Sequence, residues 1–164
     1  MSELRVGMGV DAHAFSDEAK LVLAGVELPG RGLAGHSDGD VVSHALIDAI
    51  LGAAGLEDIG ALFPSGDAQW EGASSVELLR RAYEDAQEVG WDLVNADCIL
   101  IGEEPRIAPV RKELRERLSG VLGVGVERIT IRATTTDRLG FTGRGEGLAA
   151  QAVALLRRRD NIGT

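Results

Sequence analysis

The sequence predicts a two-layer sandwich of the α/β or α+β class, in which helices cover a sheet. Strand-like segments alternate along the chain with segments of helical periodicity, and glycines separate most of them. The length of 164 residues predicts one domain, residues 1–164, that can bury a substantial core. Apolar residues make up 45% of the chain, and no apolar run approaches the ~20 residues of a membrane-spanning helix. We therefore expect neither a disordered nor a membrane-spanning protein.

The N-terminal part predicts a strand, a hairpin and a helix. Leu4–Val10 has the composition of a strand, and Leu21–Leu28 indicates a short hairpin that turns near residues 24 and 25. Ser37 followed by Asp40 resembles a helix capping box. Apolar residues then continue at helical spacing until Gly52 and Gly55, namely Val41, Val42, Ala45, Leu46, Ala49 and Ile50.

Further elements are predicted from residue 74 onwards. They are a helix from Ser74 or Ser75 to Gly90, a strand over Leu93–Ile101, a charged amphipathic helix over Pro109–Leu122 and a strand over Arg128–Ala133. The last segment, Gly147–Arg158, is ambiguous, because its alanines and leucines favour a helix while its length also permits a strand.

Charge and composition exclude some classes of partner. The net charge of −9 argues against nucleic acid, and aromatic residues at 4% are too few for base-stacking platforms. A phosphorylated substrate stays compatible, since a metal and a few basic residues can hold phosphate locally. The single cysteine, Cys98, excludes an internal disulfide and is expected to be a small buried strand residue. We expect a cytoplasmic location.

All three histidines lie between positions 13 and 44, each close to carboxylates. Asp11 and His13 are two residues apart on an extended segment, so they share one face of the strand. His44 follows Asp40 by one turn of the predicted helix. Two imidazoles and a carboxylate suit zinc, and three ligands leave a fourth tetrahedral position open, as in catalytic zinc sites. The alternative is that the histidines, His36 included, are polar surface or capping residues, and spacing alone leaves both interpretations open.

Two other segments offer polar groups for chemistry. Thr134-Thr135-Thr136 could donate to phosphate oxygens, and Asp137 beside them could hold a divalent cation such as Mg²⁺. The alternative is a threonine-rich strand edge. The segment Leu139–Gly147 is a glycine-rich turn that presents Phe141, Arg144 and Glu146; it lacks the order of a dinucleotide-binding fingerprint, and Arg144 could simply pair with Glu146.

Six segments together resemble the family of 2-C-methyl-D-erythritol 2,4-cyclodiphosphate synthases, enzymes of the non-mevalonate isoprenoid pathway. They are Asp11-Ala-His13, His36-Ser-Asp-Gly-Asp40 with His44, Asp58-Ile-Gly60, Leu62-Phe-Pro64, Thr134-Thr-Thr136 and Leu139–Gly147. They occur in the family's order, and the resemblance covers residues 4 to 158.

The resemblance implies roles for individual residues. Zinc, one ion per subunit, is bound by Asp11, His13 and His44, and the two residues on the strand also contact the substrate. His36 and Thr135 are catalytic and stabilise the transition state. The other implied substrate-binding residues include the cytidine loop, residues 102–108; they are Ser37, Asp58, Ile59, Gly60, Phe63, Gly102, Pro105, Arg106, Ile107, Ala108, Ala133, Thr134, Thr136, Asp137, Phe141 and Arg144.

The resemblance also implies a fold and an assembly. It makes residues 147–157 a strand, which gives a four-stranded, mixed and mainly antiparallel sheet with helices on one face. It further implies a homotrimer with active sites between neighbouring subunits.

The implied reaction is a metal-assisted phosphoryl transfer by a phosphorus–oxygen lyase. The 2-phosphate of 4-diphosphocytidyl-2-C-methyl-D-erythritol 2-phosphate attacks the β-phosphorus, closes a cyclic diphosphate and expels CMP. Catalysis then consists chiefly of positioning and charge neutralisation. A second cation, Mg²⁺ or Mn²⁺, is expected at Asp137.

Three positions depart from the family pattern. Asp137 stands where glutamate is common, and Arg106 stands where lysine is frequent. Ser65 and Gly66 precede Asp67, although an acidic residue often follows the proline directly. These departures concern the second cation, the cytidine loop and one contact to the methylerythritol hydroxyls, and none of them removes a zinc ligand.

Two other functions fit part of the pattern. A metal-dependent phosphohydrolase with a zinc-bound water would release inorganic phosphate instead of CMP. A non-enzymatic binding module would hold zinc structurally and bind an isoprenoid diphosphate in the trimer cavity through Arg144 and Glu146.

Overall fold

The computed structural model describes residues 3–160, which form one hydrophobic core between a sheet and a layer of helices. The strands are β1 (Leu4–Ser16), β2 (Leu21–Leu23), β3 (Val26–Leu28), β4 (Gly32–Leu33), β5 (Trp91–Ile101), β6 (Ile129–Thr134) and β7 (Gly147–Arg158). The helices are α1 (Val41–Ala54), α2 (Ile59–Leu62), α3 (Ser75–Glu88), α4 (Arg111–Leu122) and α5 (Gly140–Gly143). Ala68–Trp70 and Val126–Arg128 form single 3₁₀ turns.

The main sheet is mixed and has the strand order β4-β1-β7-β5-β6. Strand β7 pairs antiparallel with both β1 and β5, whereas β5 and β6 run parallel. The prediction of four strands is wrong, because β1 continues beyond Val10 to Ser16 and its end pairs with the two-residue strand β4. The predicted hairpin is confirmed as a separate two-stranded sheet, β2 with β3.

Strand β7 settles the ambiguity of the C-terminal segment. Gly147–Arg158 lies between β1 and β5, so both of its edges are hydrogen-bonded and tertiary pairing overrides helix propensity. On β5, Cys98 is buried as predicted, and burial raises the pKa of its thiol to about 12. A thiolate is therefore disfavoured at this position.

Helix α1 begins differently from the prediction. Asp40, not Ser37, is the N-cap, and its side chain accepts a hydrogen bond from the backbone N–H of Ser43. The buried Asp40 carboxylate also accepts from the backbone N–H groups of Ala24 and Gly25, which joins the β2–β3 turn to the start of the helix. Gly55 ends the helix in a left-handed conformation with φ 76°.

The other two long helices lie close to their predicted bounds. Ser74 caps α3, which ends at Glu88. Helix α4 begins at Arg111, two residues after the predicted start at Pro109, because residues 108–110 form a turn before it. None of the helices in residues 3–160 is long and apolar enough to cross a membrane.

The helices lie on one face of the main sheet, as predicted, and the other face is open. Side chains on this open face alternate with buried ones along β1, where Val6 and Met8 are 68% and 62% exposed. Val10 continues the row, and Val153 pairs with Met8 across the neighbouring strand β7. We refer to Val6, Met8, Val10 and Val153 as the open face.

Candidate active site

Three side chains bring nitrogen and oxygen atoms together at one end of the sheet. Nε2 of His13 lies 2.9 Å from Oδ2 of Asp11 and 3.2 Å from Nδ1 of His44. The same His44 nitrogen lies 3.0 Å from the Asp11 oxygen. The three atoms therefore form a nearly equilateral triangle, and its members are the residues that the spacing predicted.

Two elements position this triad. Asp11 and His13 lie on β1 and share its helix-facing side, as their spacing predicted. His44 lies in the first turn of α1, which packs on β1. A β-carbon at Gly7 would lie 2.0 Å from the carbonyl oxygen of Ala49 on that helix, so the absence of a side chain there permits the close approach.

The other ring nitrogen of each histidine also has a partner. Nδ1 of His13 lies 2.6 Å from the backbone oxygen of Ala34, to which it can only donate, so in the neutral ring Nε2 has its lone pair facing the triad. Nε2 of His44 lies 2.8 Å from Oγ of Ser75 and 3.1 Å from Oγ of Ser37. Both rings are therefore held at their outer nitrogen.

The triad fits a zinc ion. Ligands at the usual distances from a tetrahedrally coordinated zinc lie about 3.3 Å apart, close to the three separations in the triad. Two imidazoles and one carboxylate are also the donor set of known catalytic zinc sites. Within residues 3–160 no other group of histidine, cysteine and acidic side chains converges in this way.

Electrostatics in the triad favour the charged carboxylate. Burial alone would raise the pKa of Asp11, but when no cation is bound, hydrogen bonds from the protonated His13 and His44 rings lower it to about 2. The hydrogen bond to Asp11 raises the pKa of His13 above its ordinary value of 6.5, although burial opposes this shift. A negative ligand is thus present at neutral pH to receive a cation.

The triad lies in the wall of a cavity of about 580 Å³. Several predicted substrate-binding residues line the same cavity, namely His36, Ser37, Ile59, Gly60 and Phe63. Its wall also contains Trp70, whose ring packs edge-on against Phe63 with centroids 4.9 Å apart.

A carboxylate on α1 holds the turn at Ile59. Oδ1 of Asp48, four residues after His44, accepts a hydrogen bond of 2.8 Å from the backbone N–H of Ile59. Burial raises the pKa of Asp48, and this hydrogen bond opposes that shift. Asp58 caps α2 by accepting from the backbone N–H of Ala61. One helix therefore fixes both a triad ligand and the predicted methylerythritol turn.

A second group of predicted residues lies where β5 and β6 end, outside this cavity. The backbone N–H of Gly102 donates to the carbonyl oxygen of Thr134, which joins the predicted cytidine loop to β6. Arg106 and Ala108 are exposed, whereas Ile107 is buried and anchors the loop in the core. The loop residues Gly102 and Pro105 are partly exposed, and Ala133, Thr134 and Thr135 are exposed.

The residues that follow β6 form a tight turn. Thr136 donates to the backbone oxygen of Leu139, so its hydroxyl holds the turn together. Asp137 is exposed with φ 52°, and its backbone N–H donates to Oγ1 of Thr135. Phe141 is exposed. Arg144 forms two hydrogen bonds with Glu146, which is the pairing that the sequence suggested as the alternative to ligand binding.

The structure therefore divides the predicted residues into two groups within one chain. Asp11, His13, His36, Ser37, Ile59, Gly60 and Phe63 line the cavity with His44. Residues 102–108 and 133–137 do not, and neither do the predicted residues Asp58, Phe141 and Arg144. Sequence reasoning missed Ser75, Asp48, Ala34 and Trp70. The sequence marks Ser75 only as a possible helix start, and a lone serine carries no signal for a contact with a distant histidine.

Comparison with known proteins shows which family this chain resembles in sequence. A sequence model described as the YgbB family matches residues 4–157. A 2-C-methyl-D-erythritol 2,4-cyclodiphosphate synthase from Rubrobacter xylanophilus is 55% identical over 162 residues, which cover 96% of this chain and 98% of that protein. The synthase from Moorella thermoacetica is 53% identical, with 96% and 97% covered.

Solved structures have the same fold. The IspF of Plasmodium falciparum in complex with CDP superposes with a TM-score of 0.85 at 31% identity, covering 98% of this chain and 99% of that one. The bifunctional IspDF from Campylobacter jejuni gives a TM-score of 0.93 at 42% identity. The present chain covers 44% of that longer protein, so the match concerns one part of it.

Proposed function

The chain belongs to the YgbB family, and its relatives are 2-C-methyl-D-erythritol 2,4-cyclodiphosphate synthases; from this premise we infer that it performs their cyclisation. An oxygen of the substrate's 2-phosphate forms a bond to the β-phosphorus of the diphosphate. The bond between that phosphorus and the oxygen bridging to the α-phosphate breaks, and CMP leaves. The observation that supports this function is the convergence of Asp11, His13 and His44 in the wall of a large cavity, in a chain that matches the family over nearly its whole length.

We propose that zinc is the ion held by the triad. When bound, zinc would polarise a phosphate oxygen and neutralise negative charge that develops during transfer. The donor set supports this choice over a harder cation, because imidazole nitrogen suits zinc better than Mg²⁺.

The cavity residues have separate proposed roles. His36 and Ser37 line the same cavity as the triad, and we assign them contacts with the phosphate groups. The turn at Ile59 and Gly60, held by Asp48, would bind the methylerythritol hydroxyls. The main contribution of these residues is to hold two anionic groups in line for reaction.

We further propose that the site is completed in a homotrimer. The cytidine loop and Thr135 lie outside the cavity of their own chain, and in the proposed trimer a neighbouring subunit would bring them to the triad. The open face supports such an assembly, since contiguous exposed apolar residues commonly mark a protein interface. In this arrangement Thr135 of one subunit and His36 of the next would stabilise the transition state together.

The second cation is proposed at Asp137. Its exposed carboxylate offers oxygen ligands, which suit Mg²⁺ or Mn²⁺, and it follows the threonines at the end of β6. A cation there would stabilise the departing CMP. The proposed reaction expels CMP by intramolecular displacement and without water, which makes the enzyme a phosphorus–oxygen lyase.

Product analysis tests the function directly. The purified protein is incubated with 4-diphosphocytidyl-2-C-methyl-D-erythritol 2-phosphate, zinc and magnesium, and the products are separated by chromatography. We expect CMP and the cyclic diphosphate in equal amounts, and none from the His44→Ala variant. Release of inorganic phosphate without CMP would instead identify a phosphohydrolase.

A further inference from the structure

We propose that Ser75 and Asp38 are positioning residues that fix the tautomer and orientation of His44 for metal binding. This inference rests on the metal centre of the proposed function. Ser75 is the first residue of α3 and is fully buried, although it lies 31 positions from His44 along the chain. Its hydroxyl contacts the histidine on one side and the Asp38 carboxylate on the other.

The contacts form a continuous chain from the carboxylate to the triad. Oδ1 of Asp38 is hydrogen-bonded to Oγ of Ser75, and Oδ2 accepts from the backbone N–H of Ser75 at 3.1 Å. Oγ of Ser75 lies 2.8 Å from Nε2 of His44. The opposite ring nitrogen, Nδ1, is the one that faces Asp11 and His13.

The chemistry of the three groups decides which atom donates in each hydrogen bond between Asp38, Ser75 and His44. An ionised carboxylate can only accept, so the hydroxyl proton of Ser75 points to Asp38. The lone pairs of the hydroxyl then face His44, which favours the tautomer with its proton on Nε2. Nδ1 is left with its lone pair directed into the triad, which is the form that can bind a metal.

Without Asp38 the hydroxyl would be free to turn. It could then donate to Nε2 of His44, which would place the ring proton on Nδ1, the nitrogen that a metal needs. A proton on Nδ1 would also be able to bond to the Asp11 carboxylate 3.0 Å away, so in the absence of a cation Asp11 favours that competing tautomer. Asp38 and Ser75 therefore oppose this tendency. His13 needs no such device, because the Ala34 carbonyl already fixes its proton on Nδ1.

Ser37 is a second hydroxyl near the same nitrogen, at 3.1 Å, and it lies 3.3 Å from Oγ of Ser75. Among the hydrogen bonds of residues 3–160, the Ser37 hydroxyl has none to a carboxylate that would orient its proton. Ser37 therefore cannot impose a direction on the hydrogen bond in the way that Ser75 does.

The test compares neighbouring serines. Ser75→Ala removes the hydroxyl at His44, whereas Ser74→Ala removes the N-cap of the same helix and leaves that hydroxyl in place. Zinc affinity is measured on the metal-free full chain by competition with a chelator, and thermal unfolding of the metal-free protein is followed in parallel. We expect Ser75→Ala to weaken zinc binding about 10–100-fold, the usual effect of losing a partner of a histidine ligand. Ser74→Ala should lower the melting temperature without changing zinc affinity.

A second measurement separates positioning from a merely structural role. Asp38→Asn keeps the shape of the side chain but introduces an NH₂ group that can donate to Ser75. The Ser75 hydroxyl proton is then no longer held towards residue 38 and can turn to His44. In zinc-free protein, at a pH where imidazole is neutral, ¹⁵N spectra of the His44 ring should show a shift from the Nε2–H towards the Nδ1–H tautomer in this variant. Unchanged zinc affinity in Ser75→Ala, or an unchanged tautomer ratio in Asp38→Asn, would overturn the inference. If the wild type itself bound no zinc, the metal centre would fail and this inference with it.

Discussion

Gly9 on β1 lies directly against Ala45 on α1. A β-carbon at position 9 would lie 1.9 Å from the carbonyl oxygen of Ala45, so strand and helix are in backbone contact there. His44 immediately precedes Ala45, and Asp11 follows Gly9 by two residues on the same face of the strand. This contact brings the imidazole of His44 within 3.0 Å of the Asp11 carboxylate.

We expect Gly9→Ala to destabilise the protein and weaken zinc binding together. The methyl group cannot be accommodated without moving the helix. Overpacking of this kind typically lowers the free energy of unfolding by about 1–3 kcal/mol. Chemical denaturation gives the loss of stability, and zinc titration gives the loss of affinity.

The matched control is Gly52→Ala on the same helix. A β-carbon at position 52 would meet no atom within 4 Å, and the position is exposed within α1. Removing a glycine from a helix interior should stabilise the protein by about 0.5–1 kcal/mol and leave zinc affinity unchanged. If Gly9→Ala and Gly52→Ala had the same zinc affinity, the contact between β1 and α1 would not be what positions His44.

Two histidine variants separate metal binding from the later steps. His44→Ala should abolish stoichiometric zinc while the protein stays folded, because the side chain is a ligand and alanine is a good helix former. His36→Ala should keep its zinc and lose activity, since His36 lines the cavity but is not part of the triad. Metal analysis and circular dichroism on both variants check this, and full zinc in His44→Ala would contradict the metal assignment.

A charge on the open face should break the assembly. Met8→Asp places a carboxylate among Val6, Val10 and Val153, where desolvation on assembly would be costly. We expect a trimer for the wild type and monomers for the variant by sedimentation. Val126→Asp is the control, since this valine is also exposed but lies outside the open face. A monomeric wild type would refute the proposed assembly.

Mixed trimers test whether active sites are shared. His44→Ala inactivates the metal centre, and Arg106→Glu should inactivate the cytidine loop. If one subunit supplies the triad and its neighbour the loop, mixing and reassembling the two inactive chains should restore part of the activity. No recovery in verified mixed trimers would place each complete site within one subunit.

The effect of zinc on stability should grow as the pH rises through neutrality. Asp11 holds the pKa of folded His13 above 6.5, so in the zinc-free protein this pair stabilises the fold below pH 6.5, and that contribution is lost as the pH rises through the folded pKa. Zinc binds only the unprotonated His13 ring, so its affinity for the folded protein increases as the pH rises. Thermal unfolding with and without zinc, at several pH values, measures the difference. A zinc-induced increase in melting temperature that shrinks with rising pH would contradict the prediction.

Local patterns in the sequence predicted the triad well. Asp11 and His13 are two residues apart on a strand, and the apolar spacing after Asp40 predicts the helix that carries His44. The same patterns left β7 undecided, because its strand state depends on pairing with β1 and β5 on both edges. The start of α1 was misplaced because two polar residues could cap it, and the contacts with Ala24 and Gly25 that favour Asp40 are distant in sequence.

The partners of the triad could not be predicted. Ser75 reaches His44, and Asp48 reaches Ile59, only after the helices have packed. Neither contact has a repeat or spacing that a single sequence reveals. The division of the predicted residues between the cavity and the ends of β5 and β6 also depends on how the strands pair in the sheet.

Asp137 variants should test the second cation without disturbing the first. The hypothesis is that the exposed Asp137 carboxylate holds Mg²⁺ or Mn²⁺ beside the leaving group. Asp137→Ala should leave zinc content unchanged and slow turnover about 10²–10³-fold, the usual cost of losing one electrostatic stabiliser. Turnover is measured across a magnesium titration, with zinc content determined on the same samples.

Two further variants isolate the charge from the backbone. Asp137 has a φ of 52°, a conformation that asparagine tolerates about as well as aspartate, so Asp137→Asn removes the charge with little strain. It should be as slow as Asp137→Ala. Asp137→Glu keeps a carboxylate and should retain most of the turnover, despite some cost for the left-handed backbone. If the alanine variant matched the wild type in rate and magnesium dependence, Asp137 would merely form part of the turn after β6.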